Sequence, residues 1–153
     1  MLMVTREALK TALREAFPIA TVPKLHEGSI PVNFTRPALF IQMMPWGPRP
    51  VTSDLHEFNV RWQIVYFPTE DAVGNANQAD LFQAVDKLAT RFGRAKGLTA
   101  PDGTPLLLSD FSAEERDDVV YASLALCGYQ RYEAASAALL GEAKIDMNLE
   151  ENT

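Results

Sequence analysis

The segment at residues 55–67, LHEFNVRWQIVYF, constrains the fold more than any other part of the chain. It alternates between an apolar set, Phe58, Val60, Trp62, Ile64 and Tyr66, and a polar set, Glu57, Asn59, Arg61 and Gln63. Because successive side chains of a strand point to opposite faces of its sheet, the pattern predicts one long strand. Its apolar set would face a core, and its polar set would face water or a partner.

A second apolar strand and a proline-rich loop precede this segment. Residues 38–44, ALFIQMM, are apolar on both faces, which is typical of a central strand. The loop at residues 45–50, PWGPRP, is predicted to lack regular structure. It carries Trp46 and Arg49, and both residue types are enriched at protein interfaces. Two interpretations of Trp46 stay open, contact with another protein or packing back over the sheet edge.

An amphipathic helix is predicted at residues 5–17. Leu9, Leu13 and Phe17 recur every four residues and form an apolar stripe that would dock on a sheet. Thr5 is its predicted N-cap.

A second helix is predicted after Asn75, which would be its N-cap, with Gln78 as the capping-box partner. Gly93 lies where a C-terminal cap belongs. The predicted apolar face of this helix consists of Leu81, Phe82, Val85, Leu88, Ala89 and Phe92.

The remaining chain predicts short strands and loops. Residues 21–36, interrupted by two prolines and a glycine, predict a short broken strand followed by a loop. Residues 94–105 predict a loop with strong turn chemistry at PDGT. Residues 106–111 predict a strand, residues 112–118 a polar turn, and residues 119–132 an antiparallel partner strand.

The order of helix, strands, helix and strands predicts an α+β domain, in which two helices pack on one face of a mostly antiparallel β-sheet. A chain of 153 residues has room for one such domain, which we assign to residues 1–132. Residues 133–153 form an acidic C-terminal extension in which Ile145, Met147 and Leu149 alternate with polar residues. They predict either a short last strand or an arm that orders on a neighbour.

The chain is acidic, with a net charge of -6 and a pI of about 4.9. Tight binding to a nucleic-acid backbone normally relies on a basic patch, so this charge argues against it. An acidic protein can still surround DNA without gripping it. The sequence has neither the apolar run of a signal peptide nor one that would cross a membrane, which predicts a soluble protein made in the cytoplasm.

No catalytic or metal-binding constellation is visible in the sequence. Cys127 lies in the apolar run YASLALCGY, which predicts a buried structural cysteine rather than a nucleophile. His26 and His56 are far apart in the chain, and no ligand spacing typical of a metal site occurs. We therefore predict that the protein is not an enzyme and holds no cofactor and no metal.

Several short strings of the sequence resemble one known family. An amphipathic helix leads to PALFIQMM, a loop leads to EFNVRWQIVYFP, the helix NQADLFQAVDKLATRF follows, and two late strands complete the domain. This order, over residues 3–132, resembles the tail terminator proteins of tailed phages and prophages. The acidic extension and the prolines of residues 45–50 depart from the family pattern.

The resemblance implies a structural virion protein that assembles with itself into a ring, usually a hexamer. Such a ring caps the head-proximal end of the tail tube, stops tube polymerisation and joins the tail to the neck or head connector. DNA would pass through it without specific binding, and in a contractile tail the last sheath ring would contact it. The protein would be made in the cytoplasm of a bacterial host and reside in the virion.

A ring subunit needs two different surfaces that meet head to tail around an axis. The polar strand face, the stiff loop and the extension are the predicted sources of these surfaces. The candidate interface residues are Trp46, Arg49, Asn59, Arg61, Gln63, Ile145, Met147 and Leu149.

Three other functions stay open. Another adaptor ring of the neck belongs to the same class, whereas two strong helices disfavour the tube protein itself. A small hydrolase requires a polar constellation in a pocket, and none is evident from the sequence. A small ligand-binding α+β domain also stays open, because fold class alone does not distinguish it from a tail terminator.

Overall fold

The computed structural model describes residues 1–132 of the chain. The helices are α1 (Leu2–Ala16) and α2 (Gln78–Phe92). The strands are β1 (Lys24–Glu27), β2 (Ala38–Met43), β3 (Arg49–Pro50), β4 (Leu55–Phe67), β5 (Gly97–Thr99), β6 (Pro105–Arg116) and β7 (Val119–Arg131). The long strand predicted at residues 55–67 is β4, with the same bounds.

The strands form one sheet in the order β1, β2, β4, β7, β6, β5, and β3 pairs with the start of β4. β1 and β2 run parallel, and the other described pairs are antiparallel. β4 pairs with β7 from Leu55, opposite Arg131, to Tyr66, opposite Val120. The described residues therefore form an α+β fold with a mixed, mostly antiparallel sheet.

Both helices pack against the same side of the sheet. We call this side the covered face, defined on β4 by Phe58, Val60, Trp62, Ile64 and Tyr66. The opposite side is the helix-free face, defined on β4 by Glu57, Asn59, Arg61 and Gln63. None of the five covered side chains of β4 is more than 6% exposed, so the predicted core face is confirmed.

Helix α1 packs through its predicted stripe, because Leu9, Leu13 and Phe17 are buried. The prediction of Thr5 as N-cap is wrong, since the helix begins at Leu2 and Thr5 is buried inside it. The Thr5 hydroxyl donates to the Leu2 carbonyl at 2.9 Å and accepts from the Trp62 indole N–H at 3.2 Å. Burial of the Trp62 N–H requires such an acceptor, and this contact ties α1 to the sheet.

Helix α2 begins two residues later than the predicted cap implies. The Asn77 side chain caps it by accepting from the Asp80 backbone N–H at 3.3 Å. The Asn75 backbone N–H instead donates to the Asp71 carboxylate at 2.9 Å, so Asn75 belongs to the preceding turn. The C-terminal cap is Gly93, as predicted.

The predicted apolar face of α2 is too broad. The helix buries Leu81, Ala84, Leu88 and Phe92. Phe82 is 61% exposed and Ala89 is exposed, so both predictions are wrong. Each step along a helix rotates the side chain by about 100°, which turns position 82 away from the core that Leu81 enters.

Two predicted loops contain short strands, and one predicted turn is shorter than expected. β3 lies in the proline-rich loop and β5 lies in residues 94–105. β6 continues to Arg116, so the turn consists of Asp117 and Asp118, both with positive φ. Asp and Asn tolerate this conformation better than most residues, which suits them to so tight a turn.

The helix-free face carries a small apolar cluster at the β1–β2 side of the sheet. Ala38, Phe40, Val65 and Val119 are its buried members, and Phe34, Phe67 and Tyr121 pack against them. The Arg36 guanidinium lies over the rings of Phe34 and Phe67, at 5.3 and 5.1 Å from their centres. This cluster explains why β2, which lies between β1 and β4, is apolar on both faces as predicted.

Candidate interaction surface

The helix-free face arranges the predicted polar residues in ordered rows. Three rows cross β4, β7 and β6: Asn59, Cys127 and Leu107; Arg61, Ala125 and Ser109; Gln63, Ser123 and Ser112. Residues opposite each other in paired strands point to the same face, so the rows form one continuous surface. Arg49 extends it, because it lies opposite Glu57 and forms an ion pair with that carboxylate.

An ion pair crosses the middle row. The Arg61 guanidinium lies 3.3 Å from the Asp110 carboxylate, and both side chains are well exposed. Asp110 reaches this position through a bulge, since its φ is 55° and the β6–β7 register shifts between Ser109 and Ser112. An exposed pair of this kind contributes about 0–1 kcal/mol to stability. Its main effect is therefore to orient Arg61 on the surface.

The row of Gln63 forms a shallow polar depression. The hydroxyls of Ser112 and Ser123 are hydrogen-bonded at 3.2 Å. A cavity of about 240 Å³ lies here, lined by Gln63, Ser112, Ala113, Glu114, Tyr121, Ala122 and Ser123. Hydroxyl and amide groups of this kind can form hydrogen bonds with the backbone or side chains of a second protein.

The row of Asn59 leads to an apolar groove. The groove has a volume of about 570 Å³ and lies where β5, β6 and β7 end together. We call it the end groove, lined by Lys96, Gly97, Leu98, Thr99, Pro105, Leu106, Leu107, Cys127, Gly128 and Tyr129. Leu107 is 61% exposed and Tyr129 is 59% exposed, so the helix-free face is polar in its middle and apolar at this end.

Cys127 is half-buried on the helix-free face and not fully enclosed in the core as predicted. Burial raises the pKa of its thiol, and the carboxylates of Glu57 and Asp110 add to the effect. The protonated thiol is a poor nucleophile, because the thiolate is the reactive form. The arrangement therefore does not favour thiol catalysis.

The proline-rich loop separates its two predicted interface residues. Trp46 is partly buried and packs against the main core, as the second interpretation of this residue expects. The Arg49 side chain is largely exposed and lies on the helix-free face beside Glu57. Ile145, Met147 and Leu149 lie outside the described residues 1–132.

Sequence reasoning located four of these residues but missed several of their neighbours. Alternation along β4 places Asn59, Arg61 and Gln63 on one face without knowledge of the other strands. The position of Asp110 on this face depends on the bulge in β6, and the position of Leu107 depends on the register of β6 with β7. Neither position follows from alternation in β4. The run of three leucines at residues 106–108 is the one feature of the sequence that indicates an exposed apolar side chain here. Because side chains alternate along a strand, the three leucines cannot all face the core.

A second groove lies between the helices, away from the helix-free face. It has a volume of about 430 Å³ and is lined by Glu15, Ala16, Asp86, Lys87, Thr90 and Arg91. The Arg91 guanidinium donates to the Glu15 carboxylate at 3.0 Å across it. Within residues 1–132, no group of three or more His, Cys, Asp or Glu side chains is placed to hold a metal ion.

Comparisons with known proteins return no family model and no curated protein that matches this chain. In the described part of the chain, neither helix has the length and apolar character that a membrane span requires.

Proposed function

We propose that this protein is a tail terminator, a structural subunit that forms a ring at the head-proximal end of a phage tail tube. One observation carries the proposal. Both helices cover one face of the sheet, while the other face of the described domain presents Arg49, Asn59, Arg61 and Gln63 as a continuous surface. A face of this kind suits contact with a second protein, because its centre offers hydrogen bonds and its end offers apolar area.

The order of elements and the charge of the chain support the same proposal. Helix, strands, helix and the two long late strands β6 and β7 follow one another in the order on which the resemblance to tail terminators rests, with the short strand β5 inserted before β6. The net charge of -6 suits a ring through which DNA slides without adhering. The proposal includes no catalytic role and no cofactor.

The proposed partners are further copies of this chain, the tail tube protein, the neck or head connector and, in a contractile tail, the sheath. A hexamer would use the helix-free face for one side of its head-to-tail contact. The ring would stop addition of tube subunits and reside in the virion.

The oligomeric state of the purified full-length chain tests the proposal. Native mass spectrometry over a range of concentrations should show a closed ring, and electron microscopy should show that ring at one end of added tail tubes. Arg61→Glu should weaken the assembly, because it reverses a charge in the centre of the helix-free face. Arg94→Glu is the matched control, since Arg94 is exposed in the loop after α2. A strict monomer that ignores tail tubes would overturn the proposal.

The groove between the helices favours a second candidate function, binding of a small molecule. Its volume of about 430 Å³ falls within the range of roughly 300–1,000 Å³ that is typical of ligand sites. Glu15, Asp86, Lys87 and Arg91 give it charges of both signs, which would suit an amino acid or another zwitterion. Thermal unfolding with a panel of amino acids tests this function. A stabilisation that Arg91→Gln abolishes would support it, and a flat response would count against it.

A further inference from the structure

Strand β7 has an open edge beside the end groove. The ladder between β6 and β7 ends at Leu107 opposite Cys127. β7 nevertheless continues to Arg131, and on its other side it stays paired with β4 as far as the start of that strand. The Tyr132 backbone N–H then donates to the Asp54 carbonyl at 2.7 Å. Within the described residues, positions 128–131 therefore have no ladder partner on the side that faces β6, and the first residues of β6, 105 and 106, lie across the end groove.

The end groove lies between the unpaired end of β7 and the start of β6. The residues that line it determine which kind of strand could bind there. An unpaired strand edge can accept an added strand through backbone hydrogen bonds. Leu107, Cys127 and Tyr129 belong to the same side of the sheet and offer an apolar surface beside that edge. Lys96 carries the charge among the lining residues. A fitting strand would be apolar on the side that meets Leu107, Cys127 and Tyr129.

Residues 144–149, KIDMNL, have this pattern. Ile145, Met147 and Leu149 alternate with Asp146 and Asn148, and two glutamates follow. An added strand would place its three apolar side chains on one face, because side chains alternate along a strand. Lys144 and Asp146 leave the segment itself without net charge, so its apolar alternation is the feature that fits the groove.

The connection to Tyr132 favours a neighbouring copy as the source of this strand. Residues 133–140, EAASAALL, contain no Gly, Pro, Asn or Asp, so the sequence carries no signal for a tight turn directly after β7, and Gly141 is the first such residue of the connection. The twelve residues between Tyr132 and Ile145 can span up to about 40 Å, which allows residues 145–149 to extend well away from their own β7.

We propose that residues 144–149 of one copy add a strand to the open edge of β7, over the end groove, in the next copy. This proposal deepens the proposed function and rests on self-association of the chain. It gives the ring a specific contact in which each subunit supplies one strand and receives one.

Cys127 is the sole cysteine and lines the end groove, so disulfide cross-linking tests the proposal on the full chain. The unmodified protein would be mixed with a chain that carries C127S and M147C together with a mass tag. Mild oxidation with diamide should give a mixed dimer linked through Cys127 and the new cysteine at position 147, identified by peptide mass spectrometry. The matched control is C127S with N148C, whose thiol would point away from the groove and should cross-link several-fold less.

A chain with M147C that retains Cys127 separates the sources of the strand. A disulfide within one chain that persists on dilution would overturn the proposal, because the strand would then come from the same copy. A ring without the 127–147 cross-link would overturn this inference and leave the tail terminator proposal intact. A cross-linked dimer without any ring would support the inference and count against the tail terminator. A monomer without a cross-link would overturn both.

Discussion

The two faces of the sheet are built on different physical principles. The covered face is an apolar layer enclosed by α1 and α2, in which Phe58, Val60, Ile64 and Leu124 are almost fully buried. The helix-free face combines the polar rows, a small aromatic cluster and the end groove. Packing density determines stability on the first face, whereas register determines which groups meet on the second. Substitutions on the covered face should therefore affect folding, and those on the helix-free face should affect assembly.

The largest expected effect is that of Trp62→Ala on the covered face. Removal of this buried side chain leaves a cavity and also leaves the buried Thr5 hydroxyl without its indole donor. We expect a loss of about 3–5 kcal/mol in the free energy of unfolding, measured by denaturant titration. Gln63 is the next residue along β4 and lies on the helix-free face. Gln63→Ala should change the free energy of unfolding by less than about 0.5 kcal/mol. Equal losses for the two variants would show that the faces do not differ as described.

The next effect is expected from Gly128→Ala. A Cβ atom at this position would lie 2.5 Å from Cζ and 2.9 Å from Cε1 of the Phe58 ring. Because Phe58 is buried on the covered face, its ring has little room to move, and we expect a loss of about 1–3 kcal/mol in the free energy of unfolding. Gly47→Ala is the control, since no atom lies within 4 Å of a Cβ built there. A neutral Gly128→Ala would mean that the ring adapts more freely than a packed core allows.

A smaller effect is expected from Tyr66→Phe, which removes one hydrogen bond from the rim of the covered face. The Tyr66 hydroxyl donates to the Asp80 carboxylate, 3.0 Å from each oxygen, and links β4 to α2. Burial, followed by the charge of Asp80, raises the pKa of Tyr66, so the phenol stays protonated and remains a donor. We expect a loss of about 1.5 kcal/mol by denaturant titration.

Tyr121→Phe provides the matched control for this bond, because Tyr121 lies half-buried on the helix-free face with Arg116 over its ring. The free energy of unfolding of Tyr121→Phe should differ from that of the unmodified protein by less than about 0.5 kcal/mol. A larger loss for Tyr121→Phe than for Tyr66→Phe would reverse the assigned roles of the two hydroxyls.

The covered face was largely predictable from the sequence because it depends on local periodicity. Alternation in β4 and the four-residue spacing of Leu9 and Leu13 each specify a face without reference to any other element. The wrong predictions concern residues whose exposure or capping role depends on the geometry of the surrounding structure rather than on residue type. Phe82 shares the apolar character of Leu81, but the helix turns it outward, and Asn75 matches the signal of Asn77 but is held by Asp71.

The helix-free face was predictable only in part because its rows depend on pairing between distant strands. Alternation placed Asn59, Arg61 and Gln63 together, and the register of β4 is fixed by the burial of its other side. The partners of these residues depend on a bulge at Asp110, which no local pattern reveals. The short strands β3 and β5 likewise form because β4 and β6 supply partners, since their own sequences favour loops.

The smallest expected effect concerns Glu27, which lies on β1 at the edge of the covered face and joins that strand to α1. Its carboxylate accepts from the Arg6 guanidinium and lies 3.0 Å from the Lys10 ammonium. The hydrogen bond from Arg6 is the main cause that lowers the pKa of Glu27 below its usual value of 4.5. All three side chains are about one-third exposed, so solvent screening limits the contribution to about 0.5 kcal/mol.

The sign of the pH dependence follows from the lowered pKa. The ionised carboxylate is stabilised in the folded protein, so this contribution is complete above pH 4.5 and is lost as the pH falls through the lower folded pKa. Glu27→Gln should therefore destabilise the protein slightly at pH 7, and its difference from the unmodified protein should shrink as the pH falls below 4.5, as measured by denaturant titration at pH 7 and pH 3. A difference that stays the same at both pH values would assign the contact to packing rather than charge. It would also show that the edge of the covered face, like its centre, is stabilised by apolar contact.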